Sequence, residues 1–376
     1  MRDLLLDQSV KDLDFATNAF PEEVIHFFPK VIPTGLQHGT VTVLFHGKAY
    51  EVTTFRIDGA YKDGRRPVAV NFTTDLIQDL SRRDFTMNAM AYDFLTDSLI
   101  DPFGGQDDLA KKVLRTVGRP QERFEEDALR ILRLYRFSAK LGFSLDPETR
   151  DAAQQQIKRL GSLSRERVRD EMMKALGSPH PELAFDAWNE LGILNEFFPA
   201  TRPQKITPEN WQKILCLSGW KRWSLWFGLS GPVDPVSWQQ DLKSLVFSNA
   251  EQKSILRPFL ALPFLGGPPD FTAKAMIEAW GSRSSVETDW PVLKNLDLVR
   301  LHPSAVGLDD HLNKQLIQPE PIFLSEMAIN GSELMEAGVP SGPKVGQILQ
   351  SLKHEVWKDP LLNQRETLMM RCRKYW

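Results

Sequence analysis

Residues 11–17 read Lys-Asp-Leu-Asp-Phe-Ala-Thr, and this stretch places two carboxylates at alternate positions. Alternate side chains of a β-strand point to the same face, so a strand here presents Asp12 and Asp14 side by side. Two carboxylates this close repel each other unless a cation lies between them, and oxygen ligands suit Mg²⁺. The pair therefore indicates a metal site, although aspartates at this spacing are also common in turns and helix caps.

A third carboxylate occurs in a stretch that is otherwise typical of a β-strand. Residues 41–45 and 50–56 are rich in β-branched and aromatic side chains, and residues 46–49 between them predict a hairpin. Glu51 in such a strand is seldom buried without a partner. If its strand lies beside the first one, Glu51 joins the two aspartates at a site suited to two-metal chemistry. On an edge strand it would instead face water.

Residues 82–90 read Arg-Arg-Asp-Phe-Thr-Met-Asn-Ala-Met and contain side chains suited to binding phosphate. Paired guanidinium groups such as those of Arg82 and Arg83 can each bind phosphate oxygens through two hydrogen bonds. The alternative is that both charges lie in solvent near the N-terminus of a helix.

One acidic and three basic residues recur at every third position in residues 127–136: Asp127, Arg130, Arg133 and Arg136. The apolar spacing over 125–141 predicts one continuous helix, on which these four residues form a polar ridge. An Asp acceptor one turn from an Arg donor can match the edge of a nucleobase. The alternative is an ion pair between Asp127 and Arg130 within the helix.

The composition favours a globular protein of several domains, since the 376 residues are 42% hydrophobic and 25% charged. No apolar run is long enough to span a bilayer, and the charged N-terminal residues predict no secretory signal. Two cysteines, Cys216 and Cys372, exclude a disulfide framework and favour the cytoplasm. Residues 111–174 hold 16 Lys and Arg against 10 Asp and Glu, whereas residues 1–100 hold 10 against 14. An acidic head before a basic helical segment suits a metal site beside a phosphate-binding surface, and two differently charged solvated faces are the alternative.

Taken in order, these stretches resemble the bacterial class II tRNA nucleotidyltransferase and poly(A) polymerase family. Each matching segment is short, and their order and spacing make the resemblance specific. The segments are residues 2–6, 11–17, 33–35, 38–43, 51–56, 63–67, 82–90, 101–105, 126–136 and 164–167, with a weaker match at 329–334 and 342–346.

The resemblance implies an α+β fold, in which a small nucleotidyltransferase-type β-sheet head is followed by an all-helical neck, body and tail. We expect a catalytic head at 1–110, a neck for base recognition and RNA binding at 111–177, a body at 178–318 and a tRNA-binding tail at 319–376. Family members carry two glycines shortly before the segment that matches Arg2. We therefore expect either that the recorded start omits the first strand or that the head is truly shortened.

The resemblance also implies a role for each candidate residue. Asp12 and Asp14 resemble the metal ligands, and Glu51 resembles the third catalytic carboxylate. The implied nucleotide-binding positions are Arg2, Arg83, Asp84, Asn88, Asp127, Arg130, Arg133 and Arg136. Within that set, Asp127 and Arg130 resemble the amino-acid template that pairs with the incoming base. Residues 58–67 resemble a flexible loop needed for adding A.

The implied function is Mg²⁺-dependent, template-independent addition of C and A to the 3′ end of tRNA from CTP and ATP, with release of pyrophosphate. An A-adding tRNA nucleotidyltransferase and a poly(A) polymerase remain alternatives within the family. A different class of protein is also open, namely an RNA-binding protein whose head is catalytically impaired without the glycines. The expected partners are tRNA and the two nucleotides, with no membrane association.

Overall fold

The computed structural model describes residues 1–10, 13–58, 61–62, 66–67, 70–296, 299, 302, 305–317 and 319–375. Asp12 and residues 63–65 of the predicted loop lie outside these ranges, and side chains between 58 and 70 are likewise outside the description. The chain divides into two compact units. The first is Met1–Pro199 with Ser244–Val246, and the second is Ala200–Lys243 with Phe247–Trp376.

The described strands lie in the first unit. They are β1 (Asp14–Thr17), β2 (Val31–Gly35), β3 (Thr40–Phe45), β4 (Lys48–Thr54), β5 (Arg56–Asp58), β6 (Tyr61–Lys62), β7 (Arg66–Pro67), β8 (Val70–Phe72), β9 (Ala91–Asp93), β10 (Ser98–Ile100), β11 (Val113–Leu114) and β12 (Ser144–Leu145). The main sheet has the order β1-β4-β3-β2, and the remaining strands pair as β5-β8, β6-β7, β9-β10 and β11-β12. Within the main sheet β1 is parallel to β4, and the other neighbours are antiparallel.

The predicted hairpin is confirmed, because β3 and β4 pair along their full length around a turn at His46 and Gly47. Alternation gives the hairpin one apolar and one polar face. Val41 and Val43 are buried against Val24 of the helix Pro21–Phe27, which precedes the hairpin in the chain. The opposite face carries threonines and Glu51, so it is the polar face of the sheet that is available for chemistry.

The first unit contains ten of the described α-helices. They are α1 (Arg2–Leu5), α2 (Pro21–Phe27), α3 (Leu76–Ser81), α4 (Gly105–Lys111), α5 (Pro120–Glu126), α6 (Leu129–Leu141), α7 (Pro147–Gln155), α8 (Arg165–Leu176), α9 (Pro181–Glu190) and α10 (Ile193–Phe197). Ser164 precedes α8 at the N-cap position. Most of α6 is buried, and it packs against α8 and α9, so it forms the centre of the helical part of this unit.

The predicted continuous helix over 125–141 is wrong, because the structure divides it at Asp127. This residue is extended, with φ −148° and ψ 104°, between the end of α5 and the start of α6. Its carboxylate accepts a hydrogen bond of 3.0 Å from the backbone N–H of Leu129. Aspartate side chains compete for backbone N–H groups in this way, and the competition favours helix starts over helix interiors.

The second unit is helical throughout its described part. Its α-helices are α11 (Pro208–Leu215), α12 (Trp220–Leu229), α13 (Pro235–Ser244, whose last residue belongs to the first unit), α14 (Asn249–Leu256), α15 (Pro269–Trp280), α16 (Ser285–Leu293), α17 (Leu308–Ile317), α18 (Gly331–Glu336), α19 (Pro343–Lys358) and α20 (Arg365–Cys372). Its tryptophans Trp226 and Trp238 are fully buried, so they belong to the core. Among the described helices, none has the length and apolar character needed to cross a membrane.

Glu326 joins separate segments of the second unit. Its carboxylate pairs with Arg283 and accepts hydrogen bonds from the backbone N–H groups of Ile322, at 2.8 Å, and Phe323, at 3.0 Å. Burial by itself raises the pKa of Glu326, but the guanidinium and the two N–H groups outweigh it and lower the pKa to about 2.

Replacing this carboxylate should destabilise the second unit in a pH-dependent manner. Because the folded pKa lies below the ordinary value of 4.5, the contribution is fully present above pH 4.5 and is lost as pH falls towards 2. We expect Glu326→Gln to lower the free energy of unfolding by about 2 kcal/mol at pH 7, after allowance for solvent screening. Urea titrations at pH 7 and pH 3 measure this effect, with exposed Glu366→Gln as the control. An equal loss at both pH values would contradict the assignment.

Candidate active site

Asp14 and Glu51 occupy directly paired positions on neighbouring strands. The parallel register of β1 and β4 places Asp14 opposite Glu51, so both side chains project from the same face of the sheet. Both residues are exposed and line one cleft. Glu51 was predicted to join the aspartates only if its strand lies beside the first one. The pairing of β1 with β4 confirms that the two strands are neighbours.

The cleft has a volume of about 1610 Å³ and lies within the first unit. The sheet forms one wall, and residues around α3, α6 and α8 contribute the charged side chains of the others. Nine of the predicted site residues line it, namely Arg2, Asp14, Glu51, Arg83, Asp84, Asn88, Asp127, Arg130 and Arg133. Arg136 is absent from the described lining residues.

A chain of hydrogen bonds connects the N-terminal helix to α6 across the segment 84–88. Arg2 Nη1 donates to Asn88 Oδ1 at 2.9 Å, and Asn88 Nδ2 donates to Asp84 Oδ1 at 2.9 Å. The other oxygen, Asp84 Oδ2, accepts from Arg133 Nε at 2.8 Å. Asn88 fits between an arginine and a carboxylate because its amide offers both an acceptor and a donor. The chain therefore fixes two cationic side chains of the cleft.

Asp84 is the electrostatic centre of this chain. Burial raises the pKa of its carboxyl, but the charge of Arg133 and hydrogen bonds from Asn88, Arg133 and the Phe85 backbone N–H hold it below the ordinary value. Asp84 is therefore ionised at neutral pH. It balances Arg133 in the buried wall of the cleft, and this pairing orients the guanidinium.

Arg83 is the more exposed member of the arginine pair. Its Nη1 donates to the backbone oxygen of Asn88 at 3.2 Å, and its Nη2 lies 3.4 Å from Asp79 Oδ2. The guanidinium of Arg82 bonds to the other oxygen of Asp79 at 2.7 and 3.0 Å. Asp79 is buried, so it holds both arginines at the start of the segment. The alternative prediction, that Arg82 and Arg83 are both solvated charges, is wrong, because both guanidinium groups contact Asp79.

Asp127 pairs with a residue that the sequence analysis did not assign to the site. Arg167 Nη2 lies 2.7 Å from Asp127 Oδ2, and both residues line the cleft. The pair joins the α5–α6 junction to α8. The predicted alternative of an ion pair between Asp127 and Arg130 is therefore wrong. Arg167 lies within a matching segment, 164–167, but nothing local indicated its contact with a residue 40 positions away.

Arg130 and Arg136 are mostly engaged within the protein. Arg130 donates to the backbone oxygens of Arg82, at 2.9 Å, and Arg123, at 3.1 Å, besides its pair with Glu126. Arg136 pairs with buried Glu171 of α8, and burial lowers the pKa of its guanidinium. Both arginines thus join segments of the unit. Their role in nucleotide binding remains a prediction.

Carboxylate oxygens on one polar sheet face match the donor type that Mg²⁺ requires. In the described part of the chain, no group of three or more His, Cys, Asp or Glu side chains is arranged around a possible metal position. Asp12 precedes β1 by two residues and lies outside the described residues. Asp14 and Glu51 therefore supply ligand atoms of the right type for Mg²⁺, but as two residues they are only part of a metal site.

Three family profiles match the chain in separate regions. The profile of the "Poly A polymerase head domain" covers residues 1–115. A profile described as "Probable RNA and SrmB- binding site of polymerase A" covers residues 142–205. A profile of tRNA nucleotidyltransferase domain 2 covers residues 309–371.

Similar proteins match over nearly the whole chain. The CCA-adding enzyme of Geobacillus sp. (strain WCH70) is 36% identical over 98% of this chain and 89% of its own length. That of Lactobacillus johnsonii is 34% identical over 98% and 90%. The crystal structure of the Bacillus stearothermophilus CCA-adding enzyme in complex with CTP is 32% identical, covers 99% of this chain and 91% of that one, and has a TM-score of 0.80. The Thermotoga maritima CCA-adding enzyme complexed with tRNA, at 22% identity, 99% and 88% coverage and a TM-score of 0.65, shares the fold.

The fold and the cleft define a nucleotidyltransferase whose mixed β-sheet head is followed along the chain by helical segments. The chain belongs to the family of CCA-adding enzymes, the tRNA nucleotidyltransferases. The predicted family, the α+β fold class and the enzyme class are confirmed.

Proposed function

We propose that this chain adds C and A nucleotides to the 3′ end of tRNA, with CTP and ATP as substrates and pyrophosphate as the second product. The observation that carries the proposal is the direct pairing of Asp14 with Glu51 in a cleft whose other walls are lined with arginines. Carboxylates suit metal-assisted attack by a hydroxyl, and arginines suit a triphosphate. The 36% identity to a CCA-adding enzyme supports the choice of tRNA as acceptor.

Asp12, Asp14 and Glu51 would hold Mg²⁺ in this proposal. When bound, divalent ions would make the 3′-hydroxyl a better nucleophile and neutralise charge on the leaving pyrophosphate. The protein itself supplies the positions of the reactants. The sheet face carrying Asp14 and Glu51 receives the 3′ end, so that the hydroxyl approaches the α-phosphate within the cleft.

The nucleotide would be held at its two ends by different side chains. Arg2, Arg83 and Arg133 present guanidinium groups in the cleft, where they would bind the triphosphate. Asp127, with Arg130 nearby, offers an acceptor and donors for the edge of the base. We propose that Arg167 orients the Asp127 carboxylate through their 2.7 Å contact. Asp84 and Asn88 would act by holding Arg2 and Arg133 in place.

Two segments are proposed to bind RNA, each within its own unit: the basic neck, residues 111–177, and the tail, residues 319–376. The neck has an excess of positive charge between residues 111 and 174, which suits the phosphates of an RNA helix. Cytoplasmic localisation is part of the same proposal, because mature tRNA ends are needed there and both cysteines are free thiols.

Stepwise assays distinguish full CCA addition from its alternatives. The full chain is incubated with tRNAs that end before CCA, before CA and before A, with CTP and ATP supplied separately. We expect CTP to extend the first two tRNAs and ATP to extend the third. Extension of the last tRNA alone would indicate an A-adding enzyme. Long A tails on unrelated RNA would indicate a poly(A) polymerase, and RNA binding without any addition would indicate the impaired binding protein.

A further inference from the structure

The ring of Phe137 contacts three guanidinium groups at the wall of the cleft. The guanidinium carbons lie 5.2 Å from the ring centroid for Arg2, 5.5 Å for Arg133 and 3.9 Å for Arg136. Phe137 is itself 5% exposed and lines the cleft. Phe137 also packs edge to face against Phe85, with 5.6 Å between the two ring centroids. One ring therefore forms the common surface for three cations.

The three arginines have different surroundings. Arg136 is the chain neighbour of Phe137 on α6 and is absent from the described cleft lining, and its ion pair with Glu171 joins α6 to α8. Arg2 and Arg133 line the cleft, and they come from segments far apart in the chain. The hydrogen bonds of these two arginines, to Asn88 and Asp84, fix one side of each guanidinium. The Phe137 ring lies against the same two groups from α6.

Ion pairs and hydrogen bonds with Asp3, Asn88 and Asp84 hold Arg2 and Arg133, and the ring adds one surface that both guanidinium groups share. The negative face of an aromatic ring attracts cations, and the attraction strengthens where water is excluded. The ring also limits the rotamers of long arginine side chains, so that less entropy is lost when they bind a phosphate. An aliphatic side chain at this position would fill part of the space without attracting either cation.

We propose that Phe137 is a positioning residue for nucleotide binding, which holds Arg2 and Arg133 ready for the triphosphate of the incoming nucleotide. The inference rests on the proposed function. It assigns Phe137 no contact with the reacting atoms. Its effect should therefore appear in the binding of triphosphates, and the chemical step and the affinity for tRNA should change little.

The test compares Phe137→Leu and Phe137→Met with Phe137→Tyr in the full chain. Single-nucleotide addition to tRNA gives KM and kcat for CTP and ATP, and inhibition by pyrophosphate and by cytidine separates the phosphate site from the base site. We expect the two aliphatic variants to raise both nucleotide KM values about 5- to 20-fold. Inhibition by pyrophosphate should weaken by a similar factor, while kcat, inhibition by cytidine and tRNA affinity stay within about twofold. Phe137→Tyr keeps the ring and should behave like the wild type.

A matched control separates positioning from simple packing. Phe143 is buried in the same unit and is not among the residues that line the cleft, so Phe143→Leu should lower the thermal midpoint without changing the nucleotide KM. Unchanged KM values in both aliphatic variants would overturn the proposal, as would an equal increase in Phe137→Tyr. If wild-type protein adds no nucleotide in this assay, the proposed function itself fails. In that case pyrophosphate binding by calorimetry still tests Phe137 through the same comparison of variants.

Discussion

The double substitution Asp12→Ala, Asp14→Ala should abolish nucleotide addition and leave the affinity for tRNA nearly intact. Asp14 pairs with Glu51 in the parallel register of β1 and β4, and both residues line the cleft. In the proposed function, Asp12 and Asp14 are two of the three carboxylates that would hold divalent ions where charge develops during attack, so the double variant should lose these ions. We expect the rate of a single turnover to fall by at least about 10³-fold. Glu51→Gln should produce a loss of the same kind.

Affinity for tRNA should respond differently, because phosphate contacts from Lys and Arg dominate binding to RNA. Removing two negative charges from a surface near RNA should increase the affinity slightly. The measurements are single-turnover addition and a tRNA binding titration at two salt concentrations. Asp107 has an 82% exposed side chain on α4, and Asp107→Ala provides the control for a lost carboxylate. Near wild-type addition by the double variant would refute the metal site.

Asp127→Ala should relax the choice of base more than it weakens the binding of tRNA. The Asp127 carboxylate lines the cleft and is held by Arg167 at 2.7 Å and by the N–H of Leu129 at 3.0 Å. A carboxylate fixed in this way can serve as an oriented acceptor for a base edge. Each lost contact of this kind reduces discrimination by about 1–3 kcal/mol, so we expect roughly a 5- to 100-fold loss of preference for CTP and ATP over UTP.

Further variants separate this role from a structural one. Arg167→Ala leaves the Asp127 carboxylate in place but removes its ion pair with Arg167. This variant should therefore cause a smaller loss of base selection than Asp127→Ala. Glu122→Ala removes a carboxylate of α5 with an exposed side chain and should leave selection unchanged. The measurement is competition between nucleotides for one tRNA end. Unchanged selection in Asp127→Ala would mean that the pair with Arg167 only joins the α5–α6 junction to α8.

Local patterns were sufficient for the central hairpin of the sheet. The alternation of residues 41–45 and 50–56 predicted the β3–β4 hairpin, because one face of that hairpin is buried and the other is polar. The sequence did not predict that β1 lies beside β4. It indicated only that Glu51 would join the aspartates if the two strands were neighbours. Pairing between strands that are not consecutive depends on tertiary packing, which a single strand pattern does not contain.

One error arose from a local hydrogen bond and the others from tertiary contacts. One helix was predicted across Asp127, yet its side chain accepts from the backbone N–H of Leu129 and α5 ends there. The partners of Asp127 and Arg136 are Arg167 and Glu171, both on α8. Charge spacing along one helix could not indicate these contacts, because the partners lie 35 to 40 residues away.

Sequencing the 3′ ends made from tRNA lacking CCA, with all four nucleotides present together, shows which bases the protein adds and in which order. We expect the cleft that contains Asp14, Glu51 and Asp127 to select both the bases and their order. Products from the wild-type chain should therefore end in C-C-A and extend no further. Ends that remain unextended, that incorporate G or U at similar frequency, or that continue into long A tails would contradict it.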